Sequence, residues 1–286
     1  MNTPPRTLPR LVIEPLVRAA LLEDLGRAGD LTTDSTIPAA ATATVQLISR
    51  DAGVVAGLAL AELAWELVDP SIETEIHLPD GSRVEPGSVI GTATGSARGL
   101  LTGERVALNF LGHLSGVATA TATIADAIAH TKAKVADTRK TIPGLRALQK
   151  HAVRCGGGAN HRFGLDDAVL IKDNHIAVAG GVRQAVENAR ATVGHLVKIE
   201  VEVVSLEMLA ELLEVGADVV LLDNMGPDLL RQAVAMVDGR LITEASGRIT
   251  PETAVPIAEA GVDLISVGWL THSAKVLDIG LDHVAG

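Results

Sequence analysis

The chain has 286 residues, 47% of them hydrophobic, which is enough for one barrel-sized domain plus a smaller one. Aromatics make up only 1%, with no Tyr, so the core must be packed from Ala, Val, Leu and Ile, and base-stacking platforms are scarce. The formal charge of −11 argues against nucleic acid as the main partner, and no run of about 18 apolar residues points to a membrane span.

One cysteine, Cys155, cannot form an intrachain disulfide or a structural zinc site, which suits a cytoplasmic protein. The opening MNTPPRTLPR has no apolar run beside its charges, so no secretory leader is expected. Against the acidic background, Lys132 to Lys172 holds nine Lys or Arg and three acids, a net charge of +6.

In chain order, an amphipathic stretch runs from Ile13 to Leu25. Short strand-like pieces follow at Val45–Ser49 and Gly53–Ala56, with a helix at Leu58–Val68. Pro79-Asp-Gly81 and Glu85-Pro-Gly87 are turn signatures, and a long helical stretch covers Leu100–Ala129. From Lys132 strands alternate with helices. Strands are expected at Ala133–Ala136, Ala168–Ile171, Val197–Val203, Asp218–Leu222, Arg240–Thr243 and Leu264–Val267. Helices are expected at Leu145–Arg154, Ser205–Glu214 with Ser205 as N-cap, Pro227–Val237, and from Thr250-Pro251 onward.

Six strands with crossover helices imply a parallel sheet, either a barrel or doubly wound. Both bind ligands beyond the carboxyl ends of the strands. Those ends carry Asp137 and Arg139, Lys172, Glu202, Asp223, Glu244 with Ser246, and Gly268. Polar residues at strand end after strand end favour the barrel, because a doubly wound sheet would gather its chemistry at one switch point.

Arg139 and Lys140 lie in the loop after the first of these strands, suited to carboxylate or phosphate, or simply a solvated basic loop. Arg146, Lys150 and Arg154 recur every four residues on the next helix and read mainly as a solvated face. Gly156-Gly-Gly158 frees the backbone for close approach to a ligand, or forms a flexible surface loop, and His161 and Arg162 then add donors. Asp166-Asp167 precedes a strand and reads as structural. Lys172 is either an anion anchor or a Schiff-base nucleophile. Glu200 and Glu202 share one strand face, with Glu202 nearer the rim. Glu202 and Asp223 suit Mg²⁺, a sugar hydroxyl or a developing cation, or salt bridges to neighbouring cations. Ser246-Gly-Arg248 and Val267-Gly-Trp269 suit a phosphate held by backbone N–H groups, or ordinary turn chemistry.

Taken together, the chain resembles the quinolinate phosphoribosyltransferases. The resemblance rests on Glu23-Asp-Leu25, Gly29-Asp-Leu-Thr-Thr33, Thr102-Gly-Glu-Arg105 with Asn109, Thr138-Arg-Lys-Thr-Ile-Pro-Gly144 and Asn160-His-Arg162. It continues through Lys172-Asp-Asn-His175, Glu200-Val-Glu202, Leu222-Asp-Asn224, Glu244-Ala-Ser-Gly247 and Val267-Gly268, covering nearly the whole chain.

The resemblance implies an N-terminal α/β sandwich-type domain at 1–115, joined by the tail 276–286, and an incomplete parallel α/β barrel at 116–275. It implies quinolinate and phosphoribosyl pyrophosphate as substrates, with nicotinate mononucleotide, pyrophosphate and CO₂ as products, and Mg²⁺ as cofactor. A homodimer or higher assembly is implied, with the site at the subunit interface and Arg105 supplied by the partner subunit. Arg105, Arg139, His161, Arg162 and Lys172 then cage the carboxylates, Lys140 reaches either quinolinate or pyrophosphate, Thr138 is a further substrate-binding residue, and Ser246, Gly247, Arg248, Val267, Gly268 and Trp269 hold the 5′-phosphate. Lys140, Lys172, Glu202 and Asp223 become the catalytic groups, the last two also the Mg²⁺ ligands. Arg248 stands where the family usually has a small residue or Asn, and Trp269 where Ala is usual.

Three other functions are compatible with parts of the sequence. They are a related transferase acting on nicotinate or in molybdenum metabolism, a Schiff-base aldolase using Lys172, and a nucleotide- or RNA-binding protein using the +6 segment.

Overall fold

The computed structural model describes residues 7–284. Residues 1–6, where the opening of the leader reading falls, and 285–286, at the end of the expected tail, lie outside the described residues. The elements run α1 (Arg10–Leu25), α2 (Leu31–Thr36), β1 (Thr42–Ser49), β2 (Gly53–Val54), α3 (Leu58–Val68), β3 (Glu73–Ile76), β4 (Arg83–Val84), β5 (Val89–Ser96) and α4 (Ala97–Ala127). They continue with β6 (Lys134–Ala136), α5 (Arg146–Cys155), β7 (Val169–Ile171), α6 (Asp173–Ala179), α7 (Val182–Thr192), β8 (Ile199–Val203), α8 (Leu206–Val215), β9 (Val219–Asp223) and α9 (Pro227–Val237). The last are β10 (Ile242–Ser246), α10 (Pro251–Ala258), β11 (Leu264–Ser266), α11 (Trp269–His272) and β12 (Ile279–His283).

Two compact units emerge. The first comprises the chain up to Ala122, Ile142–Gly157 and the chain from Ser273, and the second Thr123–Thr141 and Gly158–His272. The expected 115/116 boundary therefore falls inside α4, and α5, expected within 116–275, belongs to the first unit.

The first unit is an antiparallel sheet, order β12-β1-β5-β3, backed by helices. On β1, Val45, Leu47 and Ser49 are buried at a spacing of two, so that face meets the core. On α1, Ile13, Val17 and Leu21 recur every four residues and form one apolar stripe. Asp30 caps α2 by accepting the Thr33 N–H at 2.9 Å. Trp65 is 1% exposed, and its indole N–H donates to the Leu100 carbonyl at 3.0 Å, so the largest core side chain has its one polar atom satisfied.

Helix α5 corrects two sequence readings. Lys150 is 4% exposed, not part of a solvated face. Gly156 caps the helix where a Cβ would strike the Ala118 carbonyl and lie 2.7 Å from the Thr121 Cβ, so the glycine permits packing on α4 and not approach to a ligand. At the other face of α5, His151 Nε2 lies 2.8 Å from an Asp80 carboxylate oxygen and 3.4 Å from the Cys155 sulfur. The second Asp80 oxygen accepts the backbone N–H groups of Gly57 and Leu58 at the start of α3.

The second unit is a six-stranded all-parallel sheet, order β6-β11-β10-β9-β8-β7, with helical crossovers. β6 and β7 form its two ends, with no ladder between them among the described residues, which is an incomplete α/β barrel. Ser205 caps α8 by accepting the Met208 N–H, and Pro227 and Pro251 open α9 and α10, where a missing N–H costs nothing. The strand expected at Arg240–Thr243 lies instead at Ile242–Ser246, which moves Glu244 from the rim into the strand. The alternation had placed neither α6 nor α7.

Candidate active site

The sheet directions carry the carboxyl ends of β6, β7, β8, β9, β10 and β11 to one rim. Two cavities open there, of about 320 Å³ and about 460 Å³, sharing Thr138, Lys140, Lys172, Ser246 and Ser266. Arg139, His161, Arg162 and Glu244 line the first, and Glu202, Asp223, Gly247, Arg248, Val267, Gly268 and Trp269 line the second. Of the sequence candidates only Arg105 lies elsewhere. It is exposed on α4 and lines a pocket within the first unit, with Glu23, Asp24, Asn109 and His113.

The loop carrying His161 and Arg162 is fixed by a buried carboxylate. Asp137 is fully buried and accepts from the Asn160 amide at 2.6 Å and the His161 backbone N–H at 2.9 Å. Asp167 closes the same loop by accepting the N–H groups of Phe163 and Gly164, the structural role read for that acidic pair. Arg162 donates to the Ala168 carbonyl at 3.1 Å. The Nε atoms of Arg139 and Arg162 are buried without hydrogen-bond partners. Burial and the Arg139 charge pull the Arg162 guanidinium below its ordinary range, with Glu200 and Asp167 opposing. Two arginines held close in a half-dry cavity attract a multiply charged anion.

Lys172 reaches across to β8, its ammonium 2.5 Å from the Glu202 carboxylate. The ammonium is already engaged by that carboxylate, a geometry that suits an anion anchor better than a Schiff-base nucleophile. His175 accepts the Lys172 backbone N–H at 2.9 Å, and α6 starts directly after the lysine. Asp223 ends β9 with its carboxylate 2.5 Å from the Asn224 amide.

The second cavity is shaped by backbone in rare conformations. Asn224 and Arg248 have φ of 54° and 48°, and Gly247 has φ of 114°. A Cβ on Gly247 would lie 2.9 Å from the Asn224 Cα, so glycine alone fits between those loops. Trp269 donates its indole N–H to the Ile249 carbonyl at 2.9 Å, tying α11 to the loop after β10. Lys140 is aimed across the rim, since its carbonyl accepts from Thr271 and a Cβ on Gly268 would lie 2.8 Å from its Cδ.

Below these cations lies a cluster that sequence reasoning passed over. His161, expected to face an anion, turns its Nε2 inward, 3.1 Å from Glu200 and 3.5 Å from Glu244. Its Nδ1 accepts the Arg162 backbone N–H at 2.7 Å, so the ring proton sits on Nε2. Glu200 and Glu244 are 7% and 2% exposed, and Oε1 of each lacks a hydrogen-bond partner. Burial, then the facing Glu200 charge, push the Glu244 carboxyl up to about 7, with His161 and the Ser266 hydroxyl opposing and Asp137 reinforcing. The signal available was Glu244 itself, an acid between Thr243 and Ala245 inside a strand.

Comparison with known proteins gives one consistent picture. Residues 30–115 match the quinolinate phosphoribosyl transferase N-terminal domain model, and residues 117–282 match the C-terminal domain model. A probable nicotinate-nucleotide pyrophosphorylase [carboxylating] of Bacillus subtilis is 43% identical over 272 residues, covering 95% of this chain and 93% of that one. The Mycobacterium leprae nicotinate-nucleotide pyrophosphorylase [carboxylating] is 46% identical over 271 residues, covering 93% and 95%. The crystal structure of NadC from Streptococcus pyogenes superposes with a TM-score of 0.93 at 41% identity, covering 98% of this chain and all of that one.

Proposed function

The chain belongs to the quinolinate phosphoribosyltransferase family, and on that premise we propose that the barrel-rim cavities catalyse its reaction. The chain transfers phosphoribosyl from phosphoribosyl pyrophosphate to quinolinate with decarboxylation, giving nicotinate mononucleotide, pyrophosphate and CO₂ for de novo NAD synthesis. The observation that carries the assignment of the site is the grouping of Arg139, Arg162, Lys140 and Lys172 around one cavity, with Glu202 and Asp223 lining the adjoining one.

Quinolinate has two carboxylates, and the paired arginines with Lys172 match them in charge and fork geometry. This favours quinolinate over nicotinate, which has one. Thr138, Lys140, His161 and the second cavity complete the enclosure, with Ser246, Gly247, Arg248, Val267, Gly268 and Trp269 around the 5′-phosphate. As pyrophosphate leaves, positive charge grows on the ribose, and Glu202 and Asp223, which line that cavity, would stabilise it. The ring nitrogen attacks the anomeric carbon and becomes cationic. The adjacent carboxylate then leaves as CO₂, its electron pair stabilised by that charge.

Mg²⁺ binds through one or two carboxylates plus substrate phosphates. Glu202 and Asp223, rim oxygen donors lining one cavity, fit such an ion and would hold it. When bound, it would neutralise charge on the leaving pyrophosphate.

A homodimer, or an assembly of dimers, completes the reading, with Arg105 reaching the site of the partner subunit. It is supported by Arg105 being exposed and by the exposed Leu11 and Leu22 on α1 and Leu101 on α4. A cytoplasmic location is supported by the free thiol of Cys155.

The test is CO₂ release from carboxyl-labelled quinolinate with phosphoribosyl pyrophosphate and Mg²⁺, beside a nicotinate control. Release that needs both substrates is expected. No release from folded protein would retire the reading.

A further inference from the structure

Loss of CO₂ leaves an electron pair on a ring carbon, and the product carries a hydrogen there, so the reaction consumes a proton. Among the cavity groups, few present one in the right form. His161 has both nitrogens engaged, Nδ1 by the Arg162 N–H and Nε2 by Glu200. Lys172 is held in its ion pair with Glu202. Glu244 lines the same cavity as Arg139, Arg162 and Lys172. It faces Glu200, His161, the Ser266 hydroxyl and Asp137. One ligand atom from each of His161, Glu200 and Glu244 lies within 4.8 Å of the others, and a proton on Glu244 would satisfy its otherwise unpartnered Oε1.

We propose that Glu244, carried as a neutral carboxylic acid beside Glu200 and His161, donates the proton that replaces CO₂ on the pyridine ring. The inference rests on the quinolinate reading. The C2–carboxylate bond breaks with its electron pair on C2, and CO₂ departs. The Glu244 O–H bond then breaks, its proton joins that pair as the new C2–H bond, and its electrons remain on the Glu244 carboxylate. Solvent restores the proton, because burial and the facing Glu200 and Asp137 raise the affinity of Glu244 for it. A neutral acid also suits a dianionic substrate, since it adds no repulsion before reaction. Without a donor, CO₂ held in the cavity recombines with the carbanion, so protonation commits the step. The upward displacement of Glu244 to about 7 is the range a general acid needs at neutral pH.

The experiment is a single-turnover comparison of pyrophosphate release and CO₂ release by wild type and Glu244→Gln, a neutral isostere that keeps the packing. The expected result is pyrophosphate release within about threefold of wild type, with CO₂ release slowed about a hundredfold or more. The carboxylated nucleotide then accumulates. Equal slowing of both steps, or neither, overturns the proposal. Should Glu244→Gln not fold, wild type alone decides. Its CO₂ step must fall about tenfold per pH unit above about 7 while pyrophosphate release does not, and a pH-independent CO₂ step overturns the proposal. Wild type that releases no CO₂ from quinolinate removes the underlying reading instead.

Discussion

The Lys172 ammonium lies 2.5 Å from the Glu202 carboxylate, across the neighbouring strands β7 and β8. The pair fixes both groups before substrate arrives, and each side has its own work.

Lys172→Ala is expected to lower kcat/KM at least about tenfold, chiefly through the quinolinate KM, since an anion anchor is lost. Glu202→Gln frees the lysine and is expected to lower kcat by about tenfold to a hundredfold with little change in that KM. Steady-state kinetics with each substrate varied separates the two. Near-wild-type kinetics for Lys172→Ala would remove it from the site.

If Arg105 serves the site of the partner subunit, two defective chains complement each other. Arg105→Ala and Lys172→Ala, each crippled alone, are expected to recover about a quarter of wild-type activity when mixed through unfolding and refolding, because half the dimers carry one intact site. Mixtures no better than the separate variants would place Arg105 in its own chain's chemistry.

Glu244 gives a pH signature in stability as well as catalysis. Its folded-state affinity for protons exceeds that of an unfolded glutamate, so the folded chain binds more protons between about 4.3 and 7. Its contribution is therefore fully present below that window and lost as pH rises through it. Glu244→Gln cannot ionise, so relative to wild type it is expected to melt progressively higher as pH rises from 4.5 to 8. A constant difference in melting temperature across that range would mean that Glu244 does not titrate there.

Asp80 joins the start of α3 to α5 through Gly57, Leu58 and His151. Asp80→Ala strands these donors and is expected to cost about 2–4 kcal/mol in urea unfolding. Burial pushes the neighbouring Cys155 thiol well above its ordinary range. Ellman's reagent should therefore leave it untouched in the native protein and titrate one thiol per chain in urea.

Arg248 holds a left-handed backbone at φ 48°, costly for a long side chain. Arg248→Asn is expected to leave stability unchanged or raise it by up to about 1 kcal/mol. If the guanidinium contacts the 5′-phosphate, the KM for phosphoribosyl pyrophosphate rises several-fold while that for quinolinate holds. Unchanged KM values would make Arg248 a solvent-facing residue.

The barrel was legible because its strands are short apolar runs that end in a charge or a glycine. Lys172, Asp223 and Gly268 each fell where such a run stops, while Glu202 sits one residue before the end of β8. What escaped was whatever depends on tertiary packing. Lys150 carries a charge on an amphipathic helix, and nothing local shows that a neighbouring element covers it. Gly156 reads as a ligand loop until Ala118 and Thr121 are placed against it. His161 looked like an anion donor because its ring direction is set by Glu200 and Glu244, which lie distant in sequence. Glu244 was put at the rim because the fifth barrel strand was placed about two residues early.

The sheet of the first unit is completed by β12, which pairs along β1 from Val45↔His283 to Ser49↔Ile279. During synthesis at about 5–20 residues per second, the N-terminal half leaves the ribosome with that β1 edge bare and waits for nearly the whole chain to follow. A bare edge is a template for pairing with other chains. The last strand is thus a timing device. Folding of the first unit ends only once β12 has been made, and a nonsense mutation ahead of β12 would yield an adhesive fragment instead of a shortened enzyme.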